Sequence, residues 1–109
     1  MLNNDRLNHI QQMEQILVQA ENILNESEVL LERWQQLMPD IERLENYYYD
    51  ADWQADYAAY EQGEIPKQMP CGVLSEDAVF NVSAGKRSMA IAMMKIAVRL
   101  LEGQPDEAK

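Results

Sequence analysis

A chain of 109 residues, 47% apolar and 26% charged, has the balance of one ordinary globular domain able to bury about two-thirds of its unfolded surface. Nineteen acidic against nine basic residues, a formal net charge of −10, argue against direct binding to nucleic acid or to an anionic membrane. The single cysteine, Cys71, excludes an intrachain disulfide, and the longest apolar run, Met89 to Leu101, is interrupted by Lys95 and Arg99 and is too short to cross a bilayer.

The first predicted helix runs from about residue 5 to residue 38, capped by Asn4 or Asp5 and ending before Pro39. Ile10, Met13, Leu17, Ala20, Leu24, Leu31, Trp34 and Met38 recur at alternating spacings of three and four, broken only by Ser27. Ile16, Ile23, Leu30 and Leu37 form a second row beside them. Two adjacent rows make an apolar face wider than a two-stranded coiled-coil seam. A helix of this length is a rod of roughly 48 Å. A domain of this size is only about 34 Å across, from its radius of gyration. A homodimer that covers the overhanging end is the simplest expectation.

A second helix is predicted over 40–62, with Pro39 and Asp40 in its first turn and Gly63 as its stop. At about 100° per residue it has two faces. Ile41, Leu44, Tyr48, Ala51, Ala55 and Ala58 suit close packing on the first helix. Tyr49, Trp53, Tyr57 and Tyr60 line the other, edged by Glu45, Asp50, Asp52, Asp56 and Glu61. Six of the eight aromatic residues fall between Tyr47 and Tyr60, so this acid-rimmed row is the candidate partner-binding site: Tyr49, Asp50, Asp52, Trp53, Asp56, Tyr57, Tyr60 and Glu61. The competing expectation is that these rings pack under the connector that follows or against a second subunit.

That connector, 63–74, holds Pro66, Pro70 and Gly72 and reads as irregular. A short helix is predicted over 76–83, capped by Ser75, with a break at Ser83-Ala84-Gly85. The last helix, 86–102, is apolar almost all round and gives way to Gly103 and a polar tail. Its Met89, Met93, Met94, Ile96, Leu100 and Leu101 are the candidate oligomer interface. Lys86, Arg87, Lys95 and Arg99 concentrate base here, whereas 40–64 holds eight acids and one base. The basic end is therefore expected to pack across the acidic middle. The predicted fold is all-α: an antiparallel helical bundle with one long N-terminal helix, a second acidic and aromatic helix, a short helix and an apolar C-terminal helix.

The run Tyr47-Tyr48, Trp53, Gly63-Glu64-Ile65-Pro66 and Gly72-Val73-Leu74-Ser75-Glu76-Asp77, with the heptad-like first helix, resembles a family of small bacterial proteins known as the domain of unknown function DUF4298. The resemblance spans about residues 8–82 and implies a small cytosolic helical protein. It brings no activity with it.

Residue chemistry points away from catalysis. His9 and Cys71 are the only thiol–imidazole pair, one on a helix and one in a loop, with no third group to orient them. Asp52 with Asp56, and Glu28 with Glu32, stand one turn apart, but helical di-iron sites need Glu-x-x-His pairs that a lone His9 cannot supply. Gly85-Lys86-Arg87-Ser88 lacks the Gly of a phosphate loop at Phe80 and its Ser or Thr at Arg87. No enzyme activity, cofactor or metal is predicted. The first six residues lack the regions of a signal peptide, so a cytoplasmic protein is expected. Two functions remain: a homo-oligomeric module that binds another protein, or an acidic nucleic-acid mimic that inhibits a nucleic-acid-processing enzyme.

Overall fold

The structure, a computed structural model, describes residues 2–103 and is all-α, with no strand among those residues. Helix α1 spans Asn4–Tyr48, α2 Ala51–Glu61 and α3 Ala78–Glu102, with a single 3-10 turn at Gly72–Leu74. The polar tail after Gly103 lies outside the described residues. By its contacts the chain divides into two units, Met1–Ile41 and Glu42–Lys109.

In the first unit all described secondary structure is α1. Asn3 starts the helix: its side-chain Oδ1 accepts from the Arg6 backbone N–H at 2.9 Å, and its carbonyl from Leu7 N–H at 3.1 Å. The cap is thus one residue earlier than predicted. The predicted end at Pro39 is also corrected, because Pro39 lies inside α1. Proline removes one i to i−4 hydrogen bond and crowds the preceding turn, at a cost of about 3 kcal/mol. A helix of 45 residues keeps the intact turns on either side, and a single missing bond does not divide it. Ile41 is the one buried side chain of α1.

The second unit is built around a bend at Tyr49-Asp50. The predicted 40–62 helix is divided there, its first half belonging to α1 and its second half forming α2. Asp50 is the N-cap of α2, in extended geometry (φ −98°, ψ 161°), with a side chain that accepts from Ala51 N–H at 2.7 Å. Such short acidic side chains offer the backbone an alternative to continuing a helix. The break shifts the helical phase. Ala51, Ala55 and Ala58, expected to pack, are exposed, while Trp53 and Tyr57 are half-buried.

Helix α2 stops where predicted. Gly63 takes φ +77°, Glu64 N–H reaches the Ala59 carbonyl at 3.0 Å and Gly63 N–H that of Tyr60 at 3.1 Å. This is the paired-bond helix ending that favours glycine.

The connector carries the 3-10 turn, whose Leu74 is 3% exposed, and Val79 at the start of α3 is 2% exposed. Ser75 accepts from Ala78 N–H at 3.2 Å and so helps to begin α3. The predicted short and final helices are one, because α3 runs unbroken through Gly85. A mid-helix glycine costs about 1 kcal/mol. Bonds from Ser83 and Lys86 on either side of it hold the helix to Glu45.

Candidate functional site

The aromatic segment and the connector are joined by side-chain hydrogen bonds. Trp53 donates its indole N–H to the Val73 carbonyl at 2.8 Å. Tyr57 donates its hydroxyl to a carboxylate oxygen of Glu76 at 2.9 Å, and Tyr48 donates to the Glu76 backbone carbonyl. Trp53 stacks on Tyr57, with centroids 5.1 Å apart and planes 10° apart, and takes Tyr48 edge-on at 5.1 Å. Tyr47 donates to Asp56 Oδ2 at 2.7 Å, tying the end of α1 to α2.

These partners shift the phenols. The carboxylate of Glu76, assisted by desolvation, pushes the Tyr57 hydroxyl up to about 12. Desolvation, then Asp56, pushes Tyr47 up to about 12 as well. In both cases ionisation would leave a phenolate facing a carboxylate; at Tyr57 that is the larger cause, and at Tyr47 desolvation is.

The predicted partner-binding residues therefore separate into two sets. Trp53, Tyr57, Asp50 and Asp56 take part in internal hydrogen bonds of this unit. Tyr49 and Tyr60, at 71% and 46%, and Asp52 are exposed beside that network; Glu61 is exposed too but also bonds with Tyr57, and Asp50 and Asp56 are bonded while remaining exposed. Tyr49 touches the edge of Tyr48 at 5.0 Å. The sequence reading missed Tyr48, Val73 and Glu76 as the groups that hold the rings. Their only signal was the proximity in sequence of the aromatic segment to a short connector that must fold back.

A second cluster lies between α1 and α3 within the same unit. Glu45 accepts from Lys86 Nζ at 2.7 and 3.0 Å and from the Ser83 hydroxyl at 2.7 Å. The bonds from Lys86 and then Ser83 hold the Glu45 carboxyl below its usual range. This is one pair of the kind that the charge segregation predicted.

The predicted oligomer residues Met89, Met93, Met94, Ile96, Leu100 and Leu101 are all exposed on α3, Leu101 at 74%. In the first unit the stripe is exposed as well: Ile10, Met13, Ile16, Leu17, Ile23, Leu24, Leu30, Leu31, Leu37 and Met38 lie between 40% and 63%. Cys71 is a free thiol whose Sγ donates to the Met69 carbonyl at 3.2 Å. Among the described residues no group of three or more His, Cys, Asp or Glu side chains could hold a metal ion. Nor is any described helix long and apolar enough to cross a membrane.

Fold and site define an all-α protein with long exposed amphipathic helices and a hydrogen-bonded aromatic corner. Residues 10–96 match the family described as Domain of unknown function (DUF4298), and the chain belongs to it. No curated protein and no solved structure matches the chain.

Proposed function

We propose that this chain is a non-enzymatic helical interaction module of the cytoplasm that acts as a homo-oligomer, in its simplest form a homodimer. One observation carries this reading: the double apolar row of α1 is exposed along its length. Covering ten half-exposed aliphatic side chains contributes about 1 kcal/mol each, or roughly 20 kcal/mol for two copies. Association costs about 4–15 kcal/mol in lost translational and rotational freedom. Burial is thus large enough to win. The exposed apolar residues of α3 supply a second surface of the same kind.

The aromatic row is a weaker candidate for a protein-binding surface, because Trp53 and Tyr57 already have partners within the chain. A nucleic-acid mimic acting through this row would need free, spaced carboxylates there. Asp50, Asp56 and Glu76 accept hydrogen bonds from their own chain. Tyr49, Tyr60, Asp52 and Glu61 remain as the outward part of that surface.

Sedimentation velocity from low to high micromolar concentration tests the proposal. A dimer or larger species, lost on Ile23→Glu with Leu24→Glu, supports it. A wild-type monomer at high micromolar concentration overturns it.

A further inference from the structure

The two uncovered apolar helix faces carry edges of opposite charge. Between Leu7 and Met38, α1 has five acids and one base, Arg33. Glu14, Glu21 and Glu28 each follow a stripe residue (Ile10, Leu17, Leu24) by four positions, so they line one edge of the stripe. From Lys86 to Leu101, α3 has four bases and no acid. Its stripe of Met89, Met93, Ile96 and Leu100 is edged by Arg99, with Lys95 next to it around the helix. All of these side chains are exposed except Lys86, which pairs with Glu45.

We infer that the acid-edged stripe of α1 in one copy docks against the base-edged stripe of α3 in a second copy. The inference rests on the homo-oligomer proposed above and says which helix meets which. Burial alone does not choose between partners, since every apolar stripe is equally greasy. Charge does. Setting α1 against α1 brings the glutamate edge to a helix whose stripe region offers one arginine. Setting α3 against α3 brings cation to cation. Only the mixed pairing sets Lys95 and Arg99, whose long stems can also cover apolar surface, against the glutamate edge, where the two cations can meet two neighbouring members of the Glu14, Glu21, Glu28 row.

The lengths are compatible. Residues 86–102 make a helix of about 25 Å, half of the roughly 48 Å stripe on α1. A two-fold dimer provides the contact twice, because each copy gives one α1 and one α3. At the interface edge the pairs add direction and partner choice more than affinity.

Two charge-reversed chains test this. The first carries Glu14→Lys, Glu21→Lys and Glu28→Lys; the second carries Lys95→Glu and Arg99→Glu. Circular dichroism checks that each remains helical. Native mass spectrometry and sedimentation then compare each alone with the equimolar mixture, at low salt and at high salt. The expected result is that each alone dimerises at least about tenfold more weakly than wild type. The mixture should form a heterodimer, an advantage that fades with salt. Homodimers of wild-type strength from both variants would overturn the pairing while leaving the oligomer intact. A third chain with all five changes covers contact within one copy. If it alone regains wild-type behaviour and the mixture does not, the contact is internal and the inference is wrong. A wild type that is monomeric throughout overturns both this inference and the proposed function.

Discussion

The Trp53 indole and the Val73 carbonyl meet at 2.8 Å across twenty residues of sequence, and this bond fixes the connector against α2. The indole also stacks on Tyr57, so one side chain joins a helix, a loop and a second ring. Trp53→Ala removes the stack, the donor and the apolar cover, and leaves the Val73 carbonyl without its partner. The expected loss is about 2–4 kcal/mol, the low end of an emptied aromatic site because the ring is only half-buried. Tyr49→Ala, on an exposed neighbour, should stay within about 0.5 kcal/mol. Urea unfolding followed by circular dichroism measures both, and equal effects would show that the Trp53 contacts do not hold the corner together.

Tyr47 and Tyr57 give a spectroscopic prediction. Each hydroxyl donates to a carboxylate and is pushed up to about 12 from its ordinary value near 10. A folded value above the unfolded one means the stabilising contribution is complete below about pH 10 and disappears as the pH rises through about 12. Ultraviolet titration of phenolate absorbance should therefore show two late-ionising rings. Tyr57→Phe and Tyr47→Phe should each remove one of them. A wild-type curve complete by pH 11 contradicts the two hydrogen bonds.

The acid side of the same logic applies to Glu45. Its carboxyl is held below the usual range chiefly by Lys86 and then by Ser83. A depressed folded value stabilises above the unfolded value, near 4.3, and the contribution is lost as the pH falls through the folded value. Thermal melting of wild type should thus fall between about pH 5 and pH 3 more steeply than that of Glu45→Gln. Parallel curves would mean that the Lys86 pair adds nothing, as is common for solvent-accessible ion pairs.

Elements with a strong local cause were legible in the sequence. The α1 stripe follows from a spacing of three and four, and the end of α2 from a glycine that alone adopts φ +77° cheaply. The family was legible in Gly72-Val73-Leu74-Ser75-Glu76-Asp77. Local rules failed where several weak preferences compete. Pro39 and Gly85 both suggested breaks, yet each costs only a few kcal/mol and each lies within a helix. Asp50, read in the sequence as a partner-binding acid, made the real break by capping α2. With that shift of phase Trp53 bonds to Val73 of the connector, in line with the expectation that the rings pack there and not with the outward-facing one. The groups that hold them are backbone carbonyls and Glu76, which periodicity does not identify.

Pro39 allows the sharpest test of the helix itself. If α1 runs through it, residue 39 sits mid-helix, where proline lacks the N–H that would reach the Gln35 carbonyl. Pro39→Ala then restores a hydrogen bond, relieves the ring's crowding and raises stability by about 1–3 kcal/mol, with a gain in helical ellipticity. If residue 39 instead opened a new helix, proline would suit that first turn, its missing N–H would cost nothing, and alanine would bring no benefit. The opposite sign is informative as well, because a loosened turn makes Pro39→Ala destabilising through the entropy of the unfolded chain, by about 0.4–1 kcal/mol. Thermal and urea unfolding of the two proteins, compared at equal concentration so that self-association does not bias the result, separates these outcomes. A more stable alanine variant is the result that the continuous helix Asn4–Tyr48 requires.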